Sequence, residues 1–130
     1  MFFIKNRLHL IRKNRKKMFE PKIKNFTKFL RLFCKKSVIG ITLCPFGIYV
    51  DNQKSISLIN HEKIHWNQQL EMLIIPFYIW YFIEWVIKMF FYKNSYINIS
   101  FEKEAYLNDR NYIYLKSRKH YAWLKLIFKK

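Results

Sequence analysis

The chain has 130 residues, of which 52% are hydrophobic and 20% aromatic, with only 2 Gly and 3 Pro. That composition excludes a disordered chain, argues against an all-β one, and fits one domain with a modest core. Lys and Arg number 25 against 8 Asp and Glu, a formal net charge of +17, which favours contact with an anionic membrane surface or nucleic acid. Lys, Asn, Ile, Phe and Tyr dominate, a bias that an AT-rich coding sequence also produces.

In chain order, residues 1–36 form a basic N-terminal arm. The apolar start Met1–Ile4 is too short for a signal peptide, so none is expected. Arg12–Lys17 is almost entirely cationic, and Met18 is an alternative to Met1 as the translation start. From Lys22 to Lys36 the period is helical: Phe26, Phe29, Leu30 and Phe33 fall at i, i+3, i+4 and i+7. That stripe predicts a partly amphipathic helix, packed on the domain or lying on anionic lipid. Cys34 and Cys44 lack metal spacing and read as free thiols of an intracellular chain.

Residues 37–130 form the second unit. Val38–Val50 is β-branched and aromatic, one strand broken at Pro45 or two strands in a hairpin. Asp51–Lys54 is a turn, and Ser55 or Ser57 caps a helix expected from about Ser57 to Ile75, where Pro76 ends or kinks it. That helix carries His61-Glu62-Lys63-Ile64-His65, an HExxH motif. Residues at i and i+4 share one helix face, so the two imidazoles can bind one Zn²⁺ while Glu62 acts as general base toward a metal-bound water. Gln68 and Gln69 contact neighbouring elements, or one of them lines the cleft. Met72–Ile83 carries no charge but is too short for a clean membrane span. Tyr92–Ser100 is a polar connection, and a last helical region runs from near Ser100 to about Phe128. The fold class expected is mainly α, of α+β type, with one short strand or hairpin before the HExxH helix.

A catalytic zinc site needs a third protein ligand. The acids after His65 are Glu71, Glu84, Glu102, Glu104 and Asp109. Glu71 lies on the same helix, rotated off the His face, and Glu84 sits in the apolar segment. Glu102 or Glu104 is therefore the candidate, with Ser100 as the N-cap of their helix. Glu102, Tyr106 and Asp109 share a face, which makes Asp109 a candidate acceptor for the second N–H of a ligand His.

HExxH followed by a helix bearing Glu102-x-x-Ala105 resembles the gluzincin metallopeptidases. It is particularly similar to their membrane-associated branch, which includes the CAAX prenyl protease-like enzymes and the antibiotic-sensing membrane peptidases. Residues from about 38 to 118 also resemble a family of short bacterial proteins with the pattern HExxHxxQQ…FExEAY. The resemblance implies a minimal zincin-like helical domain, His61, His65 and Glu102 as zinc ligands, and Glu62 as general base. The sequence departs from the peptidase branch at Tyr106, where that branch carries Asp.

If Met72–Phe91 crossed a bilayer once, a helix about 30 Å long would separate the two halves of the site, whose ligands must all lie about 2 Å from the metal. The segment is therefore expected to fold back over the active-site helices, with Trp80, Tyr81, Trp85, Phe90 and Phe91 partly facing lipid. Tyr112, Tyr114 and His120 are candidate oxyanion donors. His9 and His120 are otherwise exposed histidines. Lys116–Lys119 with Tyr121 and Trp123 mixes bases and aromatics, but no nucleic-acid motif accompanies it and it reads as a solvated helix end. The functional expectation is a zinc-dependent hydrolase, a peptidase in which the Glu62-activated water attacks a carbonyl of a peptide or protein. It would be cytoplasmic, or peripheral to the inner face of the membrane. The alternative is a basic, aromatic-rich peripheral membrane protein with a structural or vestigial metal site.

Overall fold

The computed structural model describes residues 20–129 together with Asn6, Arg7 and His9. The basic run Arg12–Lys17 and the alternative start Met18 lie outside the described residues. The described chain is mainly helical with a small sheet: β1 (Ile23–Asn25), α1 (Lys28–Phe33), β2 (Gly40–Leu43), β3 (Gly47–Val50), α2 (Ile56–Glu71), α3 (Ile75–Met89), α4 (Ser100–Asn108), α5 (Tyr114–Ser117) and a 3₁₀ turn at Ala122–Leu126. The α+β expectation holds.

β2 and β3 form the hairpin, antiparallel with Leu43 opposite Gly47, and Phe46 N–H closes it on Leu43 O at 2.7 Å. The Cys44–Pro45 peptide is cis. Gly47 has φ of +140°, and a Cβ there would sit 2.6 Å from Lys22 O, so the position admits no side chain. That close approach lets β1 pair parallel with β3, in the order β1-β3-β2. The arm expected over 1–36 therefore contributes a strand to the folded unit, and the boundary at residue 37 falls inside it. Only a short helix, α1, follows, capped by Thr27 Oγ1 accepting from Leu30 N–H. Phe29 and Phe33 are exposed on it rather than packed on the domain.

α2 starts under Ser55, whose hydroxyl accepts from Leu58 N–H. It ends earlier than expected, at Glu71, and is followed by Leu73 and Ile74 with positive φ (57° and 66°). Pro76 stands in the first turn of α3, where a missing N–H is harmless. The two helices bend by 113°, so α3 folds back. Among the described residues no single helix is long and apolar enough to cross a membrane.

The described residues form two apolar clusters, and α2 joins one of them through Trp66. Cys44, Ile48, Val50 and Trp66 fill the space between sheet and α2. Phe77, Ile99, Phe101 and Trp123 join α3, α4 and the C-terminal turn. α2 buries an unusual polar set, Asn60, His61, Glu62, His65, Gln68 and Gln69, several of which meet α4. The continuous last helix expected to Phe128 breaks at Asp109–Ile113 and again at Arg118–Tyr121.

Candidate metal centre

α2 puts His61 above His65, and α4 brings Glu102 onto the same point. His61 Nε2 and His65 Nε2 are 3.1 Å apart, and each lies 3.3 Å from a Glu102 carboxylate oxygen. All three residues are buried, and one ligand atom from each lies within 4.8 Å of the others. Ligand atoms about 2.1 Å from a tetrahedral centre stand about 3.4 Å apart, close to the separations found here. A buried Glu102 Oε2 has no hydrogen-bond partner, whereas Oε1 accepts from Tyr81 OH at 2.8 Å. Oε1, held by Tyr81, faces His65 Nε2, and Oε2 is left open toward His61 Nε2. The group fits a metal ion.

The surroundings fix the imidazole tautomer. Gln68 Nε2 donates to Phe101 O at 3.1 Å and to Glu104 Oε2 at 3.0 Å, so its Oε1 must face the other way. It lies 2.8 Å from His65 Nδ1, which therefore donates and leaves the Nε2 lone pair for the site. Gln68 fills the role expected of Asp109. Asp109 lines the cavity, and its backbone carbonyl accepts from Asn60 Nδ2 at 2.8 Å. Glu104 is not a ligand. Two residues beyond Glu102 it points to the far side of α4, where it accepts from Gln68, from Tyr114 OH at 2.9 Å and from Arg118. Arg118 also grips Glu71 at 2.6 Å and its side chain is buried, so the stretch expected to be a solvated helix end turns inward at this residue.

Electrostatics follow from the shared carboxylate. Burial would lower the His65 pKa, but Glu102 outweighs it and holds the imidazole up at about 9. Burial likewise opposes the Glu102 charge, and the two histidines overcome it and pull its carboxyl well below the usual range. Burial and the Glu102 charge push the Tyr96 and Tyr106 phenols up.

Glu62 is buried beside the triad. Thr42 Oγ1 donates to its Oε2 at 2.7 Å. A Cβ at Gly40 would lie 2.6 Å from its Oε1, so β2 shapes the space this carboxylate occupies. A cavity of about 890 Å³ opens above the three ligands, walled by β2, Leu58, Tyr78, Tyr96 and Tyr106. The Tyr106 ring packs edge-on against His61, centroids 4.6 Å apart. The candidate donors Tyr114 and His120 are elsewhere: Tyr114 is on Glu104, and His120 is exposed near Glu71. Tyr112 is exposed and does not line the cavity. The phenols that do line it are Tyr78, Tyr81, Tyr96 and Tyr106. Tyr81, expected toward lipid, instead turns inward onto Glu102. Its spacing from Phe77 and Glu84 marks that inward face, a signal hidden by the apolar run around it. Comparison with protein-family models, with curated proteins and with solved structures finds no match for this chain.

Proposed function

We propose that the protein is a metal-dependent hydrolase acting on amide or peptide bonds, with zinc held by His61, His65 and Glu102. The observation that carries this reading is the convergence of three buried ligand atoms beside the Glu62 carboxylate at the floor of a cavity. The donor set of two imidazoles and one carboxylate suits zinc, and the gluzincin resemblance points the same way. Zinc bound there supplies a Lewis acid that polarises a carbonyl and brings the pKa of water toward neutrality.

The chain's own residues divide the remaining work. Gln68 holds His65 in the tautomer that presents Nε2, and Tyr81 orients Glu102. Glu62 takes the proton of the attacking water and later gives it to the leaving amine, with Thr42 fixing one of its oxygens. Tyr96 and Tyr106, in the cavity wall, are the phenols placed to donate to charge developing on the substrate. β2 is an edge strand. Its Thr42 carbonyl faces away from β3 and accepts from Gln69 Nε2 at 2.9 Å. Gly40, two residues earlier, offers its backbone to the same edge, where an extended peptide can pair.

Metal analysis of the purified protein tests the reading. Wild type should hold about one zinc per chain, and the His61→Ala/His65→Ala variant none. Glu62→Gln should keep the metal and lose about 10²- to 10⁴-fold in hydrolysis of a peptide substrate. Stoichiometric metal persisting in the double variant overturns the assignment.

A further inference from the structure

α3 is amphipathic in the opposite sense to a helix facing water. Phe77, Tyr81, Glu84 and Lys88 recur at one helical face, and that face points inward. Glu84 and Lys88, its only Glu and Lys, are buried and 3.1 Å apart. Glu84 also accepts from Ser100 N–H and Oγ, and Lys88 Nζ donates to Asn98 O and Ile127 O. The outward face carries Ile75, Ile79, Phe82, Ile83, Ile87 and Met89, each 45–71% exposed. Leu73 before the helix and Phe90 and Phe91 after it extend the band, at 79%, 81% and 77% exposed. No described residue covers it. A contiguous apolar surface of this kind marks an interaction site.

We propose that this face of α3, with Phe90 and Phe91, lies in the interfacial region of an anionic bilayer. The inference is independent of the metal site. Charge selects the occupant. A net charge of +17 repels a second copy of the chain and attracts anionic lipid. The one carboxylate of α3 is turned inward, so the outward face offers nothing to repel phosphate headgroups. Trp80 and Trp85 are partly exposed at its margins, side chains suited to headgroup level, and the exposed Lys93 follows at its end. A 15-residue helix is about 22 Å long, too short to span and of a length to lie in the plane of the membrane.

Sedimentation of the full chain with phosphatidylcholine vesicles, with and without phosphatidylglycerol, tests the proposal. Binding should require phosphatidylglycerol, weaken with salt, and fall at least about tenfold in an Ile79→Gln/Phe82→Gln/Phe90→Gln variant. Brominated lipid should quench tryptophan emission in the wild type. That quenching should vanish in Trp80→Phe/Trp85→Phe, which keeps the buried Trp66 and Trp123. The quenching reports on the face even if the triple variant fails to fold. Absence of binding, binding that the triple variant retains in full, or quenching that survives the Trp replacements overturns the proposal. So does a lipid-free dimer, seen by analytical ultracentrifugation, that the triple variant dissociates, because a second copy then covers the face.

Discussion

His65 carries opposing demands. Metal binding needs its Nε2 lone pair, yet in the metal-free chain Glu102 favours the protonated ring and raises its pKa from 6.5 to about 9. A proton must therefore leave when metal enters at neutral pH. The folded value lies above the unfolded one, so the proton stabilises the metal-free fold fully below about pH 6.5, and that contribution disappears as pH rises through about 9. Metal affinity runs the other way. Chelator competition at pH 7 and pH 8 should show an increase of about tenfold per pH unit, levelling above about pH 9; an affinity flat across this range would count against His65 as a ligand. Gly40 is closed to a side chain by Glu62 and Leu58. An added methyl at Gly40 meets Glu62 Oε1 at 2.6 Å, and the carboxylate end is what must give way. Gly40→Ala should leave zinc content intact and reduce peptide hydrolysis by about tenfold or more, since a displaced base is a weaker base in the transition state. Metal loss in that variant would show that the effect spreads to the ligands.

At the level of elements, α2 and α4 are locked by polar contacts. Arg118, from the turn after α5, reaches Glu71 at the end of α2 and Glu104 on α4, and Glu104 in turn holds Gln68. Replacing Arg118 by Met strands two buried carboxylates, and unfolding in urea should show a loss of about 3 kcal/mol or more. Gln68→Leu removes the acceptor at His65 Nδ1 and should weaken metal affinity about 10- to 100-fold with a smaller effect on stability. An unchanged affinity in Gln68→Leu would mean that the His65 tautomer needs no fixing. The triad was legible in part: HExxH places two imidazoles on one helical face by spacing alone, a helix after residue 100 narrowed the third member to Glu102 or Glu104, and the resemblance to the gluzincin pattern favoured Glu102. The polar partners were not. Gln68 and Glu104 meet across two helices 36 residues apart, and Glu84 receives the Ser100 amide at the start of α4, leaving Ile99 rather than Ser100 at the N-cap position. The hairpin was legible from its β-branched runs around Pro45. β1 is three residues long with no alternating pattern, and its pairing depends on the backbone approach that Gly47 permits. The long final helix was overcalled because apolar period alone does not register the left-handed Tyr121 (φ 56°) at its interruption.

Across the described residues there are two apolar clusters, with the polar contact between α2 and α4 linking the elements that carry them. One cluster ties α2 to the sheet and the other ties α3 to α4 and the C-terminal turn. The two histidines stand on α2 and Glu102 stands on α4, so an ion shared by the three joins the halves across the cavity floor. Without the ion, the same place holds a carboxylate oxygen lacking a hydrogen-bond partner and two imidazole nitrogens 3.1 Å apart. Binding energy at such a site becomes folding energy, because an unfolded chain does not hold these ligands together. Free metal at a hundred times its dissociation constant contributes about 2.7 kcal/mol. For a domain of this size that corresponds to a rise in Tm of roughly 10 °C or more. A thermal melt of chelator-treated protein should therefore move up by that amount on adding zinc, and His61→Ala/His65→Ala should show no shift. Magnesium should have little effect, since it favours oxygen ligands and keeps its waters. A melt indifferent to zinc in the wild type would mean that the two halves are held by packing alone and that the triad is a hydrogen-bonded cluster without an ion.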